Sequence, residues 1–322
     1  MDTILANGGI HMKIFSLGEA LIDLIPVDPS NTTFQKNPGG APANVAVGLA
    51  RLGADSYFLG TVGDDTMGAF LIDTLHHYGV KTDYMGRSKE TKTGLVLVTN
   101  ADHGERSFEF INDKRADMCY QESDVPEEAL AQADLLHVGS ISLISGDTVA
   151  ATRRAIAVAK KNDVPVAYDP NLREALWPDL ETAKHTIRSV LPDASIVKLA
   201  EEELEFLTSE PDIERAAQAL LETYPVKLLA VTRGKEGARL YTRHATAEVE
   251  AISVDAIDTT GAGDAFMSGL LYQCAARNFS FDWDEATLKD IGRFAAISGG
   301  LATSVKGAMA ALPTLQDVKH YL

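Results

Sequence analysis

Residues 258–266 read Asp-Thr-Thr-Gly-Ala-Gly-Asp-Ala-Phe, and Ser268-Gly269-Leu270-Leu271 carry the stretch on in a helical pattern. Glycines let a backbone turn so that successive N–H groups at a helix N-terminus face one point, which makes an anion site. Gly261, Ala262 and Gly263 are the candidates for those N–H groups. Asp264 is out of place among them, because a carboxylate repels phosphate unless it has another task. Accepting a proton from an attacking hydroxyl is such a task. The bland alternative is a glycine turn closed by an Asp helix cap.

Upstream of this stretch, apolar runs alternate with helical patterns. A helix over 149–161 precedes a strand over 164–167, the apolar run 196–199 precedes an acidic helix over 201–207, and a helix over 213–222 precedes a strand over 227–232. Such alternation needs crossover connections and predicts a three-layer α/β/α core around a mostly parallel sheet. Met12 opens a strand pattern, MKIFSLGEALID, that ends at Asp23, and the loop 38–42 feeds a helix over 43–52. Two stretches break the alternation, 24–36 and 94–120. In the second, the runs 95–98 and 107–110 flank a turn at 100–105 and predict a hairpin. The expected organisation is a tail over 1–11 and a single domain over 12–322, with segments of a small β lid, about 24–37 and 90–122, inserted in the core.

The chain has 322 residues, of which 45% are hydrophobic and 23% charged, so a sizeable globular core is expected. No run approaches the roughly 18 uninterrupted apolar residues of a membrane span, and the first residues lack the basic start of a signal peptide. A cytoplasmic setting is expected. With 29 Lys+Arg against 46 Asp+Glu the net charge is −17, which disfavours nucleic acid and anionic membrane as partners. Cys119 and Cys274 are too few for a disulfide framework and lack CxxC spacing. His76, His77, His103, His137 and His185 show no metal-ligand spacing.

The stretch 258–266 resembles, at every position, the second signature of the ribokinase (pfkB) family of ATP-dependent carbohydrate kinases. Gly39-Gly40-Ala41-Pro42-Ala43-Asn44-Val45-Ala46, followed by Gly53 and Gly63, resembles the first signature, about 220 residues earlier. Within the family, PGGAPANVAVGLARLG (38–53), RADM (115–118), GSISLI (139–144), YDPNLREALWP (168–178) and KGAMAALPT (306–314) look most like fructokinases. The 2-keto-3-deoxygluconate kinases share the GG…N…RLG and DPN-type segments. The resemblance implies transfer of the γ-phosphoryl of Mg-ATP to the primary hydroxyl of a ketohexose, with fructose the first choice and 2-keto-3-deoxygluconate the nearest alternative. An inactive nucleotide-binding regulator is a rival of another class, disfavoured by the intact Asp264 and its glycines. A nicotinamide dehydrogenase is disfavoured by the absence of GxGxxG after the first strand.

Residue by residue, the resemblance makes Asp264 the general base, with Gly261, Ala262 and Gly263 offering N–H groups to the phosphoryl in flight. Asp23, Gly39, Gly40 and Asn44 resemble the family's sugar-binding residues, although a turn-capping Asp23 and a helix-capping Asn44 would read the same. Thr232, Gly234 and Gly237 resemble the TxGxxG loop that carries nucleotide phosphates and ribose; a plain hairpin turn is the alternative. Glu203 matches the Glu of an Asn-x-x-Glu motif that supports magnesium, but Ala200 stands at the Asn position. Ala296 falls where several members carry a polar residue near adenine. Asp258 and Thr260 match the position of a monovalent cation, with the loop 304–307, ending at Gly307, supplying carbonyls; potassium is expected, and a loop cap is the alternative. Arg173 is the cation expected to face phosphates, because its planar fork matches oxyanions. Lid strands with exposed edges would allow a homodimer.

Overall fold

The computed structural model describes residues 12–100 and 106–322. The expected tail at 1–11, His103 and most of the 100–105 turn lie outside them. Thirteen strands are described: β1 (Lys13–Leu17), β2 (Leu21–Pro26), β3 (Phe34–Gly39), β4 (Asp55–Gly63), β5 (Met85–Ser88), β6 (Leu95–Asn100), β7 (Arg106–Phe110), β8 (Leu135–Val138), β9 (Val166–Tyr168), β10 (Ile196–Ala200), β11 (Leu228–Thr232), β12 (Ala238–Tyr241) and β13 (Thr246–Val249). Nine form one sheet in the order β13-β12-β11-β10-β9-β8-β1-β4-β5. Its strands from β5 to β11 run parallel, and only the edge pairs β11–β12 and β12–β13 are antiparallel.

The apolar runs are continuous because this sheet is covered on both faces. Neighbouring residues of one strand enter opposite cores: Ile14, Leu135, Ile196 and Leu228 pack with Leu49, Phe266, Leu270 and Phe294, whereas Phe15, Leu136, Val197 and Leu229 pack with Ala155, Ile187, Ala217 and Leu220. The first face is covered by the helices Ala41–Leu52, Ala262–Ala275 and Glu285–Ala302, the second by Thr148–Lys161, Leu180–Arg188 and Ile213–Thr223. The three-layer core expected from the alternation is therefore what the chain forms. No helix of the described residues is long and apolar enough to cross a membrane.

The remaining strands make a four-stranded sheet in the order β3-β2-β6-β7. The hairpin expected around the 100–105 turn is present as the antiparallel pair β6–β7, and β2 pairs antiparallel with β3 but parallel with β6. One expectation is corrected. MKIFSLGEALID is not a single strand: β1 ends at Leu17, Glu19 turns inward to accept the Ala41 N–H at 3.1 Å, and the chain leaves the large sheet for the small one. Asp23 thus lies inside β2, opposite Asn37 of β3, and not at the end of the first strand.

Candidate active site

The loops that follow β1, β8, β9, β10 and β11 gather at the carboxyl ends of the parallel strands, where ligands of open α/β sheets bind. Into this edge projects the N-terminus of the helix Ala262–Ala275. Its N-cap, Gly261, lies at φ 81°, a left-handed conformation that glycine adopts without steric cost, and a Cβ there would stand 3.1 Å from Ala308. Of the three N–H groups expected to face an anion, that of Ala262 donates to the Thr259 carbonyl at 3.2 Å. The Gly263 and Asp264 amides belong to the first turn, to which helix geometry supplies no acceptor.

The Asp264 side chain is buried, and its Oδ2 accepts a hydrogen bond from Asn44 Nδ2 at 2.8 Å. Close packing of two helices makes this contact. Gly48 lies so near Ser268 that a Cβ would meet its Oγ at 2.2 Å, and Ser268 Oγ donates to the Val45 carbonyl at 3.3 Å. One turn before Gly48, Asn44 is thereby brought to Asp264. Burial raises the Asp264 carboxyl to about 6; Asp169 adds to the rise, while the Asn44 hydrogen bond and the charges of Lys198 and Arg173 hold it back. Such a carboxylate is ionised at neutral pH and still basic enough to take a proton.

Asp23 faces the same place from the small sheet. Burial raises its carboxyl to about 6, with Arg173 pulling it down and Asp264 pushing it up. Arg173 is exposed, yet its charge reaches both carboxylates. Gly39 gives room to Asp23, whose Oδ2 would lie 2.3 Å from a Gly39 Cβ. Gly40, at φ 103°, is the N-cap of the helix Ala41–Leu52, and a Cβ there would meet the Glu19 carbonyl oxygen at 2.3 Å. Behind these glycines Glu19 is buried, and burial lifts its carboxyl to about 8, the Asp117 and Asp264 charges adding to the rise.

A second charged group lies at the end of β10. Lys198 is buried and its Nζ stands 3.0 Å from Asp169 Oδ2. Glu203 spends both oxygens on the backbone, accepting the Leu172 N–H at 2.6 Å and the Ala200 N–H at 2.8 Å. It therefore fixes the 170–173 loop on the helix Glu201–Thr208, and Ala200 contributes only its amide. His137 on β8 is buried beside this group, and burial lowers its imidazole to about 4, so it is neutral.

Asp258 is buried and ties two loops together. Its Oδ1 accepts the Thr260 N–H at 3.0 Å and the Thr260 hydroxyl at 2.7 Å, and its Oδ2 accepts the Gly307 N–H at 3.2 Å. Gly307 thus meets Asp258 through its amide. Thr232 ends β11, and the loop to β12 closes an antiparallel hairpin with Gly234 at φ 54° and Gly237 at φ 91°. Among the described residues, no group of three or more His, Cys, Asp and Glu could hold a metal ion.

Asp23, Asn44, Arg173 and Asp264 are thus brought together from four distant segments, and Asp258, Thr260 and Gly307 form a cluster of their own next to Gly261. Lys198, Asp169 and Glu19 were not singled out by sequence. Lys198 had a visible signal, a lysine inside the apolar strand Ile196–Ala200 whose other faces are buried. A buried carboxylate able to accept a proton, beside first-turn amides able to bind an oxyanion at the carboxyl ends of a parallel sheet, suits a group-transfer enzyme. The chain belongs to the pfkB family of carbohydrate kinases, whose family model matches residues 12–315. It is 40% identical over 322 residues to a protein of Arabidopsis thaliana named probable fructokinase-2, covering 98% of each chain. Two solved structures are similar, each with a TM-score of 0.88. One is a double-mutant fructokinase of Vibrio cholerae O395 in its fructose-, ADP- and potassium-bound form, 38% identical, with 98% of this chain and 100% of that chain covered. The other is a fructokinase of Xylella fastidiosa with bound ATP, 35% identical, with 96% and 97% covered.

Proposed function

We propose that this chain transfers the γ-phosphoryl group of ATP to the primary C6 hydroxyl of fructose, giving fructose 6-phosphate and ADP. The observation that carries the reading is the buried Asp264 carboxylate, held by Asn44 in the first turn of a helix whose amides can bind an oxyanion. The hydroxyl oxygen forms a bond to the γ-phosphorus as the bond to ADP breaks, and its proton passes to Asp264. The Gly263 and Asp264 amides of that first turn face the charge that develops on the phosphoryl, a stabilisation that needs preorganised donors and little water. Asp23 accepts hydroxyl hydrogens of the sugar, Gly39 and Gly40 shape the floor beside it, and Arg173 offers its fork to the phosphates. Mg-ATP enters as the substrate complex, its phosphates over Thr232, Gly234 and Gly237, with Glu203 holding the neighbouring loop in place. The single domain over 12–322 carries the small sheet as a lid over the sugar. A homodimer through that sheet would cover Val27 and Ile111, which are exposed beside it. The setting proposed is the cytoplasm.

ADP release measured by coupled assay across fructose, tagatose, 2-keto-3-deoxygluconate, ribose and adenosine tests the substrate. Fructose is expected to give the highest kcat/KM. Preference for 2-keto-3-deoxygluconate would move the chain to another branch of its family.

A monovalent cation, potassium, belongs to the same proposal. Asp258, Thr260 and carbonyls of the loop ending at Gly307 would hold it. When bound, it would supply positive charge that orders the Gly261–Gly263 turn. Replacing potassium by tetramethylammonium at matched ionic strength is then expected to lower activity, and Asp258→Ala to remove the difference. Ionic strength must be matched because screening alone alters the approach of Mg-ATP to a protein of charge −17. Equal rates in the two cations would leave Asp258 as a pin between loops, the role its side-chain hydrogen bonds to Thr260 and Gly307 already describe.

A further inference from the structure

Lys198 is the one buried lysine or arginine among the described residues, 6% exposed, in a strand whose neighbours Val197 and Leu199 are apolar and buried. Burying a lysine and an aspartate against each other seldom adds net stability, since desolvation offsets their attraction, and apolar side chains would serve β10 at least as well. The location of the pair suggests another use. A Cβ built on Gly263 would lie 3.3 Å from Lys198 Nζ, so the ammonium sits directly against the turn that precedes Asp264. Its partner Asp169 accepts it through Oδ2, while Oδ1, also buried, has no hydrogen-bond partner.

We propose that Lys198, anchored by Asp169, is a positioning residue for phosphoryl transfer: its ammonium under Gly263 keeps the Asp264 carboxylate in its proton-accepting form and places fixed positive charge behind the anion-binding turn. The inference rests on the reading of Asp264 as the general base. The groups acting on Asp264 come from every surrounding element: Asn44 from the helix Ala41–Leu52, Glu19 and Asp23 from the chain around β2, Asp169 and Arg173 from the loop after β9, and Lys198 from β10. Around Lys198 itself stand Asp169, Glu203, Asp264 and the neutral His137. Burial pulls the Lys198 ammonium toward losing its proton, but Asp169 and Glu203 outweigh that effect and hold it above its ordinary value. It is charged wherever the enzyme works.

The test is the pH profile of kcat/KM for fructose in the full chain and in Lys198→Met, Asp169→Asn and the double variant. Removing the positive charge should move the acidic limb upward by about one pH unit, and removing the negative charge should move it downward, as neighbouring charges do to a carboxylate. The double variant removes both charges of the pair together, which avoids leaving either without the other if the single variants fail to fold, and its limb should return close to that of the wild type. The sugar KM should change little while kcat at neutral pH falls in Lys198→Met. A limb that stays in place in Lys198→Met, or that moves the same way in both single variants, would overturn the inference and leave the base assignment intact. A limb absent from the wild type, or retained unchanged in Asp264→Asn, would remove the base assignment and this inference with it.

Discussion

Asp264→Asn is expected to lower kcat by roughly 10² to 10⁴, the range for loss of a general base, with sugar and ATP binding largely intact. The substitution keeps shape and an amide oxygen that Asn44 Nδ2 can still reach, so the 2.8 Å contact that ties the two helices need not be lost. What disappears is the proton acceptor. In the wild type burial raises the same carboxyl to about 6, and a general base works in its ionised form. Activity should therefore be full above that value and fall as pH drops through it, with Asp23, also raised to about 6, steepening the loss. Steady-state kinetics with calorimetric binding checks both parts. A variant that keeps more than about a tenth of wild-type turnover would leave Asp264 as a residue that merely complements the helix dipole.

Asp23→Ala is expected to act on the sugar instead. A hydroxyl that loses its buried acceptor costs roughly 1 to 3 kcal/mol, about 5- to 150-fold in sugar KM for each hydroxyl left unpaired, and ATP affinity should barely change. Gly39→Ala offers an independent route to the same defect. The new methyl group would collide with Asp23 Oδ2, which is the free end of a side chain and can swing away. The fold should survive while the carboxylate is displaced, so the sugar KM should rise with little change in melting temperature. If either substitution weakened ATP as much as sugar, Asp23 would face the nucleotide.

Much of this arrangement is legible in the chain itself, for reasons that are local. The glycine-rich turn before Asp264 and the Gly39-Gly40 pair are read from sequence because backbone geometry at those points admits little else. The strand and helix alternation is read from apolar runs, since a sheet covered on both faces leaves no polar period. The break after Leu17 was not legible: residues 13–17 and 21–26 are equally apolar, and what separates them is Glu19 turning inward to Ala41, a contact 22 positions along the chain. The Lys198–Asp169 pair was hidden for the same kind of reason. Its partners are 29 residues apart and meet only because β9 and β10 are neighbours in the sheet. Glu203 was visible as an acidic residue at a helix start, but its hold on the Leu172 amide depends on the same packing.

The most direct test of the account is the structure of the product. After incubation with Mg-ATP and fructose, the carbon spectrum of the purified sugar phosphate should show phosphorus coupling at a methylene carbon and at the neighbouring methine, the pattern of an ester on C6. One ADP should appear for each ester formed. Coupling to a methylene and a quaternary carbon would place the phosphoryl on C1, and release of inorganic phosphate without an ester would mean that no sugar hydroxyl is delivered to Asp264; either result would contradict the account.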